Sequence, residues 1–150
     1  MTHFLGTHRN RLDAKGRVSI PAPFRALLRP DGTSTAPLIL RASHTHPCIE
    51  GWPPAAFQTL ARPLDELPTF SAAHDDLATA IYADAWPVEA DKDGRIVLPD
   101  ELVSHAGLGD TVEFLGKGSI FEIWEPEAGA RRRAEARERS RGLTLRGSGP

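Results

Sequence analysis

The feature of this sequence that most constrains its fold is an internal repeat. Residues 11–21, RLDAKGRVSIP, recur as residues 89–99, EADKDGRIVLP, with a constant offset of 78 positions. The aspartate, glycine, arginine and proline are identical, and a weaker echo pairs residues 49–52 with 121–124. Such repetition predicts one structural unit used twice. A chain of 150 residues can hold two small halves that share a core.

The residue types inside the repeat predict a tight loop between two strands. Asp13 and Asp91 can accept hydrogen bonds from backbone N–H groups of the loop. Gly16 and Gly94 can adopt the positive φ that other residues resist. Alternating apolar residues then predict a short strand, and the proline that follows predicts the start of a helix. We therefore predict a β-hairpin followed by a helix in each half.

The same reasoning predicts the remaining elements and the organisation of the chain. The predicted strands are 4–12, 17–20, 38–41, 47–52, 86–90, 95–98, 111–115 and 119–124. The predicted helices are 21–28, 53–60, 71–83, 99–108 and 126–141. The third helix has an apolar stripe consisting of Phe70, Ala73, Leu77, Ala80 and Ile81. The predicted units are a first half (1–53), a helical insert (54–84), a second half (85–125), a C-terminal helix (126–142) and a disordered tail (143–150).

The charges are segregated along the chain. The net charge is −2, but it divides into +5 for residues 1–30, −12 for residues 31–130 and +5 for residues 131–150. Basic ends on an acidic body favour an anionic partner. The alternative is that the basic ends only improve solubility, because whole-chain charge bears on association and not on fold.

Several classes of function lack support in the sequence. No apolar run is long enough for a membrane span or a signal peptide, and Cys48 is the single cysteine, so we expect a cytoplasmic protein without an intrachain disulfide. His44 and His46 lie close to Cys48, but no second ligand cluster accompanies them, and a plain loop is favoured over a metal site. No catalytic motif is present, so no enzymatic activity, cofactor or small-molecule substrate is predicted. We assign the tryptophans to the core rather than to a base-stacking platform: Trp52, Trp86 and Trp124.

The motifs together resemble the MraZ family of transcriptional regulators over residues 1 to about 130. They are Phe4-Leu5-Gly6, Leu12-Asp13-x-Lys15-Gly16-Arg17-x-x-x-Pro21, Phe24-Arg25, Asp91-x-x-Gly94-Arg95-x-x-x-Pro99 and His105-Ala106-Gly107-Leu108. The resemblance implies an α+β fold in which the duplicated β-hairpin–helix halves form an AbrB-like, double-psi-like swapped-hairpin barrel with accessory helices. It also implies a ring-shaped homo-oligomer, associated with the nucleoid. Such a protein would bind repeated short G-rich boxes in double-stranded promoter DNA of the division and cell-wall gene cluster, usually as a repressor.

Two departures from the family pattern bear on the site. Asp93 stands where the first motif has Lys15, although Lys92 precedes it. The arginine-rich segment 131–141 is less characteristic of the family. This segment can act as a DNA arm, but a solvated helix is favoured because Glu135 and Glu138 stand at helical spacing from arginines.

The predicted DNA contacts are cations on the two repeated units. Arginine matches the acceptors of guanine in the major groove, and lysine or arginine contacts to phosphate give affinity that depends on salt. We place the main surface on Arg17, Lys15, Arg11 and Arg9, and a secondary one on Arg95 and Lys92. Since Arg95 stands among acids, the first unit is expected to carry the DNA and the second mainly to complete the barrel.

Two alternatives to this assignment remain open. Each aspartate of the repeat can simply pair with its arginine and fix the shape of the loop. An exposed ion pair of this kind stabilises a fold by only about 0–1 kcal/mol. We interpret Asp13, Gly16, Asp91 and Gly94 as loop-forming residues. The whole barrel can also be a protein-interaction module, but the basic N-terminal third favours DNA.

Overall fold

The computed structural model describes residues 3–29 and 36–143. The strands are β1 (Thr7–Arg11), β2 (Arg17–Ser19), β3 (Ala36–Ala42), β4 (Ile49–Trp52), β5 (Ala85–Ala90), β6 (Arg95–Val97), β7 (Thr111–Gly116) and β8 (Phe121–Trp124). The α-helices are α1 (Ala22–Leu28), α2 (Pro54–Ala61), α3 (Ala72–Ala78), α4 (Asp100–Ala106) and α5 (Pro126–Ser140). A 3-10 helix, Arg62–Glu66, follows α2, and a π-helical turn, Thr79–Ala83, extends α3. The predicted tail lies almost wholly outside the described residues.

Proline sets the start of four of these helices, as the sequence predicted. Pro21, Pro53 and Pro99 immediately precede α1, α2 and α4, and Pro126 is the first residue of α5. The fixed φ of proline suits the first helical turn, where its missing N–H leaves no hydrogen bond unmade. The mixed α and β composition predicted from the sequence is therefore confirmed.

The two halves exchange their first strands. A six-stranded antiparallel sheet has the order β1-β7-β8-β4-β3-β5, so β1 of the first half pairs with β7 of the second, and β5 of the second pairs with β3 of the first. A separate two-stranded ribbon joins β2 to β6, with Val18 opposite Ile96. Both repeated units therefore contribute to one sheet and one ribbon.

This exchange corrects two predictions. Neither repeated loop joins the strands of an ordinary hairpin: β1 and β2 share a single bridge, Leu12 to Val18, and β2 takes β6 as its partner. The reason is that β2 and β6 have only three residues each, and each buries its apolar residue against the other. The described strands also do not form a closed hydrogen-bonded barrel. β1 and β5 end the sheet, and the ribbon is linked to these edges through the two loops.

The core lies between the sheet, the ribbon and the helices α1 and α4. Four fully packed phenylalanine rings occupy its centre, with centroid separations of 5.1 Å for Phe4–Phe24, 5.3 Å for Phe24–Phe121 and 5.7 Å for Phe114–Phe121. The inner face of the ribbon rests on this core, because Val18 and Ile96 are buried. Each such burial contributes about 1.5–3 kcal/mol. The outer face of the ribbon is thereby held in a fixed position towards solvent.

Gly51→Ala is expected to destabilise this core by about 1–3 kcal/mol, the range for overpacking. A Cβ atom at position 51 would overlap the ring of Phe121, which is fully buried and cannot move aside. Chemical denaturation measures the loss of unfolding free energy. The matched control is Gly109→Ala, where a Cβ would meet nothing within 4 Å. Equal stability of the two variants would contradict this description of the core.

The insert covers one end of the outer sheet face. Phe57, Leu64 and Ile81 form a separate apolar cluster there, against which Ile39 and Trp52 pack. The prediction that Phe70 belongs to the same stripe is wrong. Phe70 is 98% exposed, because Ser71 caps α3 and the chain turns at Phe70 with a φ of 71°.

The tryptophans and the C-terminal helix follow the sequence prediction more closely. Trp124 is buried, and Trp52 and Trp86 are half-buried against apolar clusters. In α5, Arg139 pairs with Glu135 at 3.3 Å, as helical spacing predicted. No helix in the described residues is long and apolar enough to cross a membrane.

Candidate nucleic-acid interface

The first repeated loop is organised by the carboxylate of Asp13. Its Oδ1 accepts hydrogen bonds from the backbone N–H groups of Lys15 and Arg17, each at 2.9 Å. Its Oδ2 accepts a hydrogen bond from Nε of Arg17, also at 2.9 Å. Gly16 closes the loop with a φ of 81°. One side chain therefore fixes both the loop backbone and the direction of the Arg17 side chain.

The second loop repeats this geometry. Asp91 Oδ1 accepts hydrogen bonds from the backbone N–H groups of Asp93 and Arg95 at 2.9 Å, and Gly94 has a φ of 77°. The aspartate and the glycine occupy the same places in both loops. The same principle of a carboxylate satisfying turn N–H groups therefore acts twice in one chain.

The two arginines differ in how much of the guanidinium is occupied. Arg17 uses only Nε, and neither of its terminal nitrogens has a hydrogen bond or ion pair in the described part of the chain. Arg95 lies 3.4 Å from Asp91 through Nε, and its Nη2 is also held by Asp93 at 3.2 Å. Both terminal nitrogens of Arg17 are therefore available to a ligand, whereas Nη2 of Arg95 is already occupied by Asp93.

The hydrogen bonds to the loop aspartates lower the pKa of both carboxyl groups. For Asp13 the largest cause is the backbone N–H of Arg17, and for Asp91 it is the backbone N–H of Arg95. A pKa below that of the unfolded chain means that the ionised form stabilises the fold. This contribution is complete above the ordinary aspartate pKa and is lost as the pH falls through the lowered folded value.

The double substitution Asp13→Asn, Asp91→Asn is therefore expected to lower the unfolding free energy near neutral pH, by an amount that shrinks below roughly pH 4. Denaturation curves of the double variant and the wild type across this range measure the difference. The control is Asp65→Asn, which removes an exposed carboxylate without a hydrogen bond or ion pair among the described residues. A difference that does not change with pH would contradict the role of the two carboxylates.

The ribbon brings the two arginines to one surface. Arg17 lies opposite Val97 and Ser19 lies opposite Arg95, and all four side chains point outward from the core. We call these four residues the ribbon face. Diagonal neighbours on such a ladder lie roughly 7–8 Å apart. A shallow open groove of about 610 Å³ runs beside it and is lined by Arg11, Arg17 and Arg95 among others.

The remaining predicted contacts divide into two groups. Arg11 lines the groove of the ribbon face, and Lys15 and Lys92 are exposed in the two loops. Arg9 does not join them. It lies opposite Glu113 on β7 and donates to its Oε2 at 2.8 Å, while the Glu113 side chain is only 5% exposed. The Arg9 side chain itself is 63% exposed, and Glu113 also lies 3.9 Å from Arg133, so Arg9 is paired with this carboxylate but still reaches solvent.

One cation beside the second loop was missed as a site residue. Arg25 of α1 reaches across to the other half, and its Nη1 donates to the carbonyl oxygen of Asp93 at 2.9 Å. Its side chain also fills the space that a Cβ at position 94 would occupy. Arg25 therefore holds the second loop and adds a positive charge beside Lys92. The repeat gave no signal for it, because the equivalent position in the second half is Val103, and the one signal was its place in the Phe24-Arg25 motif.

The histidine–cysteine segment has the features of a plain loop. Cys48 is fully buried, and burial raises the pKa of its thiol, which disfavours the thiolate that metals bind. His44 contacts Arg41 with its Nε2 at 3.0 Å. In the described residues, no three His, Cys, Asp or Glu side chains are placed to hold a metal ion.

The fold and the loops define a class: duplicated α+β proteins in which two Asp–Arg loops frame a two-stranded ribbon. The chain belongs to the MraZ family. The family model described as "MraZ protein, putative antitoxin-like" matches residues 3–79 and 81–141. The resemblance found in the sequence motifs is therefore confirmed.

Similar proteins with curated descriptions carry the name "Transcriptional regulator MraZ". The protein from Gluconacetobacter diazotrophicus is 61% identical over 150 residues, which is 99% of this chain and 95% of that protein. The one from Gluconobacter oxydans is 59% identical over 95% of this chain and 88% of its own length. The one from Azorhizobium caulinodans is 40% identical over 95% of this chain and 90% of its own length. These relatives support regulation of transcription as the general function, which is not an enzymatic activity.

Proposed function

We propose that this protein is a sequence-specific transcriptional repressor that binds double-stranded promoter DNA with its ribbon face and the two flanking loops. The observation that carries the proposal is the guanidinium group of Arg17, which Asp13 holds on the two-stranded ribbon and whose terminal nitrogens have no partner among residues 3–29 and 36–143. The major groove of DNA is wide enough to admit such a ribbon.

Each part of the surface has a chemical role in this proposal. The terminal nitrogens of Arg17 would donate to O6 and N7 of one guanine, which fits short G-rich boxes. Arg11, Lys15 and Lys92 would contact phosphates and supply affinity without sequence preference. Val97 is 57% exposed at the centre of the ribbon face and could contact a thymine methyl group.

The boxes would be repeated and the protein would be a ring-shaped homo-oligomer. One ribbon face offers few cations, so a single copy would neutralise few phosphates. Several copies in one assembly raise the effective concentration of each further contact. The proposed location is the cytoplasm, on the nucleoid, and the proposed target is the promoter of a division and cell-wall gene cluster.

Binding of the full-length protein to its own upstream promoter is expected to exceed binding to a duplex with scrambled boxes by at least roughly 1,000-fold. Both affinities should fall steeply as salt is raised, because phosphate contacts release counterions. Fluorescence anisotropy at several salt concentrations measures both effects. Equal affinity for the two duplexes would contradict sequence-specific recognition, and no binding to either at low salt would contradict DNA binding altogether.

A further inference from the structure

The exposed aromatic side chain of Phe70 is not accounted for by DNA binding. It is 98% exposed, and it is the one non-glycine residue with a positive φ in the described part of the chain, at 71°. A bulky residue in this conformation is strained and persists only where the surroundings require it. Within one chain, this strain presents an apolar ring to water. Burial of the ring against another molecule would offset the strain and remove the ring from water.

A groove lies between α5 and the β1 edge of the sheet, whereas the insert that carries Phe70 packs against β3 and β4. Its volume is about 300 Å³. A cavity of about 150 Å³ is large enough to bind benzene. Leu115, Gly116 and Ala136 provide an apolar lining. The groove is larger than such a cavity but open on one side, so it has room for one aromatic ring that keeps one edge towards solvent.

Cations surround this groove. Lys117, Arg132 and Arg133 line it, and Arg132 makes no hydrogen bond or ion pair within the described residues. Lys117 is paired with the buried Glu122 at 3.0 Å, so that the carboxylate in the groove is already compensated. A cation beside an aromatic face adds a favourable electrostatic contact.

The surfaces around Phe70 and around the groove have opposite charge. In the insert, residues 54–84, the single arginine is Arg62. The insert exposes five acidic residues: Asp65, Glu66, Asp75, Asp76 and Asp84. α5 carries five arginines against three glutamates. Contact between two inserts would bring like charges together, whereas contact between an insert and α5 would bring opposite charges together.

We infer that Phe70 of one copy inserts into the α5–β7 groove of a second copy, with the acidic insert facing the basic surface of α5. This contact joins two different surfaces, so each copy can accept one neighbour and reach into another. Repetition of such a contact closes a ring when the rotation permits. The inference rests on the proposed oligomer and names its interface. It also gives the arginines of α5 a partner other than DNA.

The test uses one variant on each surface of the full-length chain. Phe70→Ser removes the ring from the insert, and Ala136→Trp fills the groove. Each is expected to raise the dissociation constant of assembly at least ~10-fold, the effect of losing an interface hot spot, and to give monomers in sedimentation velocity. Val97→Ser, on the ribbon face, is the control and should assemble like the wild type. Circular dichroism confirms folding, and Arg132→Glu replaces Ala136→Trp if that variant does not fold.

Mixing the two variants provides the decisive result. Phe70→Ser keeps an intact groove and Ala136→Trp keeps an intact Phe70, so a mixture should form a one-to-one dimer and nothing larger. A mixture that stays monomeric, or a Phe70→Ser variant that assembles normally, would overturn the inference. A monomeric wild type would also remove the proposed ring. DNA binding is judged separately, because Phe70→Ser should keep the wild-type affinity for a single box and lose only the gain on repeated boxes.

Discussion

Arg17→Ala is expected to weaken binding to a single promoter box by roughly 5- to 150-fold, the equivalent of one lost bidentate contact to guanine. Asp13 holds Nε of Arg17, and the terminal nitrogens have no partner in the described part of the chain, so this side chain is prepared for a two-point contact. Discrimination between the box and a scrambled duplex should fall with the affinity, because the lost contact reads a base. Titration of a labelled duplex with one box avoids the amplification that repeated boxes would produce.

The matched control for Arg17→Ala is Arg62→Ala. Arg62 is an exposed arginine on the insert, away from the ribbon face, and its loss removes the same charge. It should change the affinity little. If the two variants bind alike, net charge rather than the fork of Arg17 determines binding, and the site assignment is wrong.

Asp93→Lys is expected to strengthen DNA binding by roughly tenfold and to steepen its salt dependence by about one phosphate contact. The substitution gives the second loop the lysine that the first loop has at position 15. It removes the carboxylate that holds Nη2 of Arg95 at 3.2 Å, and it adds a cation beside the ribbon face. The second loop would then present its arginine as the first loop does.

Two control variants separate the effects of position and charge. Asp93→Asn frees Arg95 without adding a cation, so we expect a smaller gain and a weaker change in the salt dependence. Asp65→Lys makes the same change in charge on the insert, away from the ribbon. The proposal is contradicted if Asp65→Lys strengthens binding as much as Asp93→Lys does.

The sequence predicted the local structure of the loops because local chemistry determines it. An aspartate four residues before an arginine, with glycine between them, favours the turn, and a proline directly after the short strand favours the first turn of the helix that follows. Strand partners were not predictable in the same way. A strand of three residues such as β2 has no register of its own, and its partner is chosen by burial of Val18 against a residue 78 positions away.

At the candidate site, the local placement of residues was predictable from the sequence, but the contacts between the two halves were not. Arg11 and Lys15 lie at the ribbon or its loops, as their place in the motif predicted. Arg9 was grouped with them by side-chain alternation, but strand exchange places it against Glu113, which is 104 residues away. Arg25 was given no role at the site, and Phe70 was wrongly placed in an apolar stripe. One acts on a loop of the other half, and the other is turned outward by the cap of the helix that follows it.

The most direct test of the central claim is photo-crosslinking from the ribbon face to promoter DNA. A benzophenone amino acid would replace Val97 in one protein and Tyr82 in another, since these apolar residues are similarly exposed, at 57% and 52%. Val97 is on the ribbon face, whereas Tyr82 is on the insert. Crosslinks to the box from position 97, and none from position 82, are the predicted result. Crosslinks from position 82 with none from position 97 would show that DNA binds elsewhere on the protein.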